Sequence, residues 1–290
     1  MELIHEIYPK VFFNQYDPSK RPAAEDRVIA FAGREFLCRI EGDQISYPSY
    51  SEARAAAPDD AAFIYAFDIS GEDYYLCRTP ERLSIEGFEY SDISTYGKVF
   101  PMDRAYAAII AFHLNNWYSS ERYCGRCGSE LVPDGKERAM RCPKCGNLIY
   151  PRINPCVIVG VINDGKILCT QYNRPNAGRF ALIAGFAEIG ESLEECVKRE
   201  VMEEVGLKVK DLRFYKSEPW GMSSSLLSGF YCRVDGDPEP HPDGVEIAAG
   251  RWFSREDLLE IYTPSHVALT SDMITKFMRG EVTEESLFGK

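Results

Sequence analysis

A chain of 290 residues with 45% hydrophobic and 27% charged side chains has room for two or more domains and the composition of an ordinary globular protein. Its net charge of −12 opposes general binding to nucleic acid or to an anionic membrane, because long-range steering is repulsive, yet it leaves room for a local basic site. No window approaches the roughly 20 apolar residues of a membrane helix. The opening MELIHEIYPK lacks a basic region followed by an apolar run, so no membrane partner is expected and a cytoplasmic location is.

From the amino terminus to about residue 118, short strand-like runs alternate with turns. Val28 to Phe31, Phe36 to Ile40, Phe63 to Phe67 and Tyr74 to Cys77 are aliphatic or aromatic and are punctuated by Gly, Asp and Pro. Asp103 to Tyr118 has helical spacing, with Ala107, Ile110, Leu114 and Trp117 on one side. No catalytic constellation is visible here, so residues 1–118 are expected to form an α+β domain serving as scaffold, dimer surface or contributor to substrate binding.

Residues 119–150 carry Cys124-Gly-Arg-Cys127 and Cys142-Pro-Lys-Cys145, two Cys-x2-Cys pairs 14 residues apart, each followed by glycine. Such paired knuckles close a zinc ribbon in which four thiolates fill a tetrahedron, so Zn2+ here is structural and has no open position for chemistry. A redox dithiol needs only one pair and usually opens a helix. The other six of the ten cysteines, Cys38, Cys77, Cys156, Cys169, Cys196 and Cys232, fall mostly in apolar segments and read as small buried hydrophobes. Arg122, Arg126, Lys136, Arg138, Arg141, Lys144 and Arg152 make the ribbon locally basic, either as solvated side chains or as a landing place for phosphates.

From residue 151 to the end the pattern changes again. Cys156 to Ile162 reads as a buried strand, Asn163-Asp164-Gly165 as a hairpin turn, and Lys166 to Tyr172 as the returning strand. A glycine-rich loop from Asn176 to Ala184 leads into a helix that Ser192 and Glu195 start with a capping box and Gly206 ends. Leu193, Val197, Val201 and Val205 recur every four residues and form its core-facing stripe. Glu200, Glu203 and Glu204 gather on one flank, where like charges repel, so a cation is expected among them; magnesium or manganese suits an all-carboxylate set. Strands over Leu212 to Lys216 and Leu226 to Val234, a strand at Trp252-Phe253, and helices over Glu256 to Tyr262 and Ala268 to Met278 complete an α/β sandwich.

Gly185, five residues, Glu191, seven residues, Arg199-Glu200, Val201, Met202, Glu203-Glu204, Val205, Gly206 and Leu207 resemble the signature box of the Nudix hydrolases at every defined position. The resemblance implies a Nudix α/β/α sandwich over residues 151–290, with a Nudix-like domain over 1–118. It implies Mg2+ or Mn2+ held by Glu200, Glu203 and Glu204, one of them also able to act as base, with Arg199 orienting the acidic cluster. The Ala184 carbonyl joins the metal's ligands, and Glu246 is the candidate for a carboxylate from a later loop, against the reading of a solvated loop charge.

With a four-cysteine ribbon directly ahead of the box, the chain is similar from about residue 100 onward to the NADH pyrophosphatases. These carry Ser-Gln-Pro-Trp-Pro-Phe-Pro-x-Ser after the box. Here the segment is Ser217-Glu218-Pro219-Trp220-Gly221-Met222-Ser223-Ser224-Ser225, which keeps Ser217, Pro219, Trp220 and Ser225 and loses the Gln, the Phe and both later prolines. The resemblance makes this segment a wall of the dinucleotide pocket, where Trp220 stacks on a ring and Met222 fills part of the space of the lost Phe. Tyr150 and Ala268 coincide with further pocket residues of the family. The implied reaction is hydrolysis of NADH or NAD to nicotinamide mononucleotide and AMP by a homodimer that also removes NAD caps from RNA. The altered segment keeps open a broader hydrolase acting on ADP-ribose, and a noncatalytic nucleotide sensor is the reading from outside the enzymes.

Overall fold

The computed structural model describes residues 3–173, 180–264 and 268–289. Among these, one compact unit comprises Ile4–Arg152 with Gly221–Ser224, and a second comprises Leu3 with the rest of the chain from Ile153. No helix of the described residues is long and apolar enough to cross a membrane.

The amino-terminal unit contains β1 (Phe12–Phe13), β2 (Arg27–Ala32), β3 (Glu35–Glu41), β4 (Gln44–Ser46), α1 (Tyr50–Ala56), β5 (Ala62–Ile69), β6 (Glu72–Arg78), β7 (Glu89–Asp92) and α2 (Met102–Ser120). Its strands run in the order β1-β5-β6-β2-β3-β4, with β7 paired to β3. Strands β2 and β6 are parallel, while β5-β6 and β2-β3 are antiparallel hairpins. The four expected strands are all present. Helix α2 departs from the one-sided burial expected of it: Ala105, Tyr106, Ala108, Ile109, Ala111, Phe112 and Tyr118 are buried as well as Ala107, Ile110, Leu114 and Trp117. Alanines at three of those added positions project so little side chain that neighbouring elements close over them. The ribbon strands β8 (Val132–Pro133), β9 (Met140–Arg141) and β10 (Leu148–Ile149) form a separate sheet of three.

The carboxy-terminal unit contains β11 (Asn154–Asn163), β12 (Lys166–Tyr172), β13 (Ile183–Phe186), α3 (Leu193–Val205), β14 (Val209–Trp220), β15 (Ser225–Val234), β16 (Ile247–Phe253), α4 (Arg255–Ile261), α5 (Leu269–Met278) and α6 (Glu284–Phe288). The turn between β11 and β12 has Asp164 at φ 49° and Gly165 at φ 70°, the two positive angles of a tight hairpin. The sheet order is β14-β15-β11-β12-β16, with β13 beside β11 and β15 parallel to β11. The stretch β5-β6-β2-β3 of the first unit thus has the same order and directions as β14-β15-β11-β12.

Alternation along β11 makes this sheet the middle of an α/β/α sandwich. Val157, Val159 and Val161 face α3 and meet its Val197, Val201 and Val205. Cys156, Ile158 and Ile162 face the opposite way, toward Leu258 of α4 and Leu269, Met273, Ile274 and Phe277 of α5. Burying the three α3 valines contributes on the order of 5 kcal/mol before chain entropy is counted. Gly160 lies on the α5 face, where a Cβ would come within 2.8 Å of the Tyr231 ring, whose hydroxyl donates to the Met273 carbonyl. A strand at Ile183–Phe186 replaces the end of the expected loop, because its backbone completes pairing with β11; residues 176–179 of that loop lie outside the described residues.

Candidate active site and metal centre

The four ribbon thiols come together. All their sulfur atoms lie within 4.8 Å of one another, with Cys124 Sγ 3.6 Å from Cys145 and Cys127 Sγ 3.5 Å from Cys142. Each knuckle turns on a glycine at positive φ, Gly128 at 72° and Gly146 at 71°, whose N–H donates back to the carbonyl of Cys124 or Cys142. Four sulfurs converging from two knuckles fit a tetrahedral Zn2+ and leave no site for a further ligand. The remaining six cysteines are buried, and burial pushes the thiols of Cys38, Cys77 and Cys156 up to about 11 and those of Cys169 and Cys196 up to about 12. They are packing residues. Of the basic ribbon residues, Arg141 pairs with Asp134 at 2.6 Å, and Arg138 donates to the Ala66 carbonyl and lies over the Tyr16 ring.

The acidic helix is built as its sequence predicts. Ser192 accepts from the Glu195 N–H while the Glu195 carboxylate accepts from Ser192, and Gly206 ends the helix at φ 67°. Arg199 then organises one flank. It makes a bidentate pair with Glu191, both bonds 2.8 Å, donates to Glu200 at 2.7 Å and Glu203 at 3.0 Å, and reaches the Phe186 carbonyl at 2.9 Å. The hydrogen bonds from Arg199 hold the Glu191 carboxyl down at about 2. Glu191 is therefore the positioning group for Arg199, a role that the box spacing contains but local reasoning does not reveal.

Gly185 explains itself in three dimensions: a Cβ there would overlap the Glu200 carboxyl, which lies flat against the β13 backbone. Burial raises Glu200 above the ordinary carboxylate range against the opposing bond from Arg199. Glu204 lies deeper, 4% exposed, and its Oε2 has no hydrogen-bond partner among the described residues. Burial first, then the charges of Glu246 and Glu200, push it up to about 8, although the Ala184 backbone amide donates toward it. Glu246, exposed at the surface, is thus close enough for its charge to act on both Glu200 and Glu204. Its loop is shaped by Asp243, whose carboxylate accepts from the N–H groups of Val245, Glu246 and Ile247. Asp243-Gly244 was the signal for that turn, and sequence reasoning passed over it.

Among the described residues the thiols are the only ligating set gathered as closely as 4.8 Å; the glutamates surround Arg199 more loosely. Their donor set still fits a hard cation. All the available groups are oxygens, a buried carboxylate oxygen of Glu204 is unspent, and Arg199 pairs with Glu191, Glu200 and Glu203 but not with Glu204 or Glu246. The residues able to hold the ion are Glu200, Glu203, Glu204, Glu246 and the Ala184 carbonyl.

The expected substrate residues are distributed differently. Tyr150, 55% exposed, donates its hydroxyl to Glu137 at 2.6 Å within the ribbon. Glu218 is wholly buried, and its carboxylate accepts from the Leu269 N–H at 2.7 Å, capping α5 in place of Ala268, whose side chain cannot. Pro219 and Trp220 are half-buried and pair with Leu226 and Ser225, so Trp220 closes the β14-β15 hairpin and also packs against the α5-side core. Gly221, Met222, Ser223 and Ser224 make the turn, and a Cβ at Gly221 would overlap the Ile109 carbonyl of α2, so glycine rather than proline suits this close approach. Ser225 is buried.

Residues 153–273 match the family model described as NUDIX domain, and residues 119–150 the one described as NADH pyrophosphatase zinc ribbon domain. Proteins named NAD-capped RNA hydrolase NudC from Escherichia coli O1:K1 / APEC and strain SMS-3-5 / SECEC are each 42% identical over 155 residues, which is 53% of this chain and 60% of theirs. The chain thus spans 60% of the length of these curated relatives. A solved Nudix hydrolase from Nitrosomonas europaea, 25% identical, covers 55% of this chain and 90% of its own with a TM-score of 0.46.

Proposed function

With residues 153–273 a NUDIX domain and residues 119–150 an NADH pyrophosphatase zinc ribbon, we propose that the chain hydrolyses the diphosphate of NADH or NAD to nicotinamide mononucleotide and AMP. Glu204 carries this reading: a buried carboxylate with an unspent oxygen, beside two further acids, is costly unless a cation completes it. When bound, Mg2+ or Mn2+ neutralises diphosphate oxygens and lowers the pKa of water. Arg199, locked by Glu191, fixes Glu200 and Glu203 in place, and Gly185 lets Glu200 lie against the strand. A carboxylate of this set takes the proton as water adds to one phosphorus and the bond to the bridging oxygen breaks, leaving two phosphate monoesters.

In this reading Glu218, Pro219, Trp220, Ser225 and Ala268 are substrate residues of the NUDIX domain, and Tyr150, Gly221, Met222, Ser223 and Ser224 are the remaining proposed contacts. Removal of NAD caps from RNA belongs to the same proposal, supported by the names of the 42% identical relatives. So do a cytoplasmic homodimer and a Nudix-like scaffold over residues 1–118, the latter supported by the shared strand order. Light scattering tests the dimer.

Separating the products after incubation with NADH, NAD and ADP-ribose under Mg2+ or Mn2+ tests the reaction. Nicotinamide mononucleotide and AMP are expected. Strong preference for ADP-ribose would replace the reading with the broader hydrolase, which the altered segment around Trp220 keeps open, and no turnover of any would leave a nucleotide sensor.

A further inference from the structure

At the end of β6 and the carboxyl end of α2, a cleft of about 640 Å³ opens in the amino-terminal unit. Its polar lining comes from Arg78, Thr79, Asn115, Asn116, Ser119 and Arg122, and none of its lining residues is acidic. Some half-buried arginines are matched with carboxylates, as Arg27 is with Glu72 at 2.7 Å and Arg199 with Glu191 at 2.8 Å, while Arg138 meets a backbone carbonyl and the Tyr16 ring. No carboxylate lines this cleft, although Asp and Glu outnumber Lys and Arg by 45 to 33. Half-buried Arg78 donates to the Tyr118 carbonyl at 3.0 Å and lies over the Tyr118 ring, while Arg122 lies over Tyr123. Among the described residues neither guanidinium has an acidic partner.

One arginine at a helix carboxyl end is explained by the negative pole there. A second is not: Arg122 repels Arg78, and desolvation already holds the Arg78 guanidinium below its usual range. Two uncompensated forks beside amide and hydroxyl donors match the three oxygens of a phosphate group, for which guanidinium geometry is suited. The cleft volume is that of a small-molecule site. We propose that this cleft binds a phosphate dianion, free or as the monoester of a mononucleotide, through Arg78 and Arg122, apart from the carboxylate cluster of the NUDIX domain.

The test is calorimetric titration of the full-length, zinc-loaded protein with inorganic phosphate and, separately, with AMP, at constant ionic strength and without Mg2+ or Mn2+. Saturable binding is expected to weaken at least tenfold in Arg122→Gln, an exposed position where folding is not at stake, and in Arg78→Gln. It should persist in Glu204→Gln, which separates this site from the proposed catalytic one. Tighter binding of AMP identifies a mononucleotide, and equal or tighter binding of phosphate identifies the free anion. Absence of saturable binding of both probes, undiminished binding in Arg122→Gln, or loss in Glu204→Gln overturns the proposal.

Discussion

Replacing Glu204 with Gln should abolish turnover and, in the absence of Mg2+ and Mn2+, make the protein more stable. The sign follows from linkage. A carboxyl held at about 8 in the folded chain, against an ordinary 4.5, is protonated more readily folded than unfolded, so it destabilises progressively as pH rises from the unfolded value through the folded one. At pH 7 the cost amounts to about 3 kcal/mol, and relaxation of the surroundings will reduce what is observed to roughly half. Gln keeps the shape and carries no ionisation cost. Thermal or urea unfolding, with the ribbon zinc left in place and no chelator added, should show the variant ahead by about 1.5 kcal/mol or more at pH 7 to 8. That advantage should fade toward pH 4.5. Added Mg2+ should stabilise the wild type and leave the variant unmoved. A variant no more stable than wild type at pH 8, or an advantage unchanged at pH 5, would refute the picture of an unspent buried carboxylate awaiting a cation.

Gly185→Ala puts a methyl where the Glu200 carboxyl lies, so activity should fall by about 100-fold or more with a stability loss of about 1–3 kcal/mol; Gly160→Ala, which crowds only Tyr231, should cost similar stability and leave kcat per folded molecule within a few-fold. Glu191→Gln breaks the bidentate clamp on Arg199 and should lower kcat about tenfold or more with KM little changed, since substrate is not its partner; an altered KM with normal kcat would count against that. Cys142→Ser should release zinc, measured by metal analysis, and lose several kcal/mol of stability; a variant that folds normally without zinc would remove the ribbon's metal.

Features governed by neighbours in sequence were legible without coordinates. The Asn163-Asp164-Gly165 turn, the Ser192–Glu195 capping box, the left-handed Gly206 and the Val197, Val201, Val205 stripe each depend on residues a turn or less apart, and each is present. What escaped depends on contacts across the fold. Glu218 stands where the resembled family has Gln, and nothing near it in sequence shows that its carboxylate caps a helix 51 residues further on. Ile183–Phe186 looked like loop because glycine and alanine have little strand propensity, and only the part of β11 that β12 leaves unpaired makes it a strand. Gly221 read as a lost proline, whereas the backbone of α2 allows nothing larger.

The same distinction explains why the box divides its charges as it does. Spacing alone places Glu200, Glu203 and Glu204 on one flank and predicts a single repulsive cluster in need of a single cation. In the fold that cluster has two sides. Glu191 turns Arg199 so that its guanidinium satisfies Glu200 and Glu203, and those carboxylates have a partner whether or not a metal is bound. Glu204, one residue further round the helix, is turned inward toward the Ala184 amide and the charge of Glu246, out of that guanidinium's hydrogen-bonding reach. Removing Arg199 would therefore expose all the acids to one another, whereas removing Glu204 takes away only the site's unmet demand for positive charge. For that reason the arginine variant should lose stability and activity together, and the Glu204 variant should separate them.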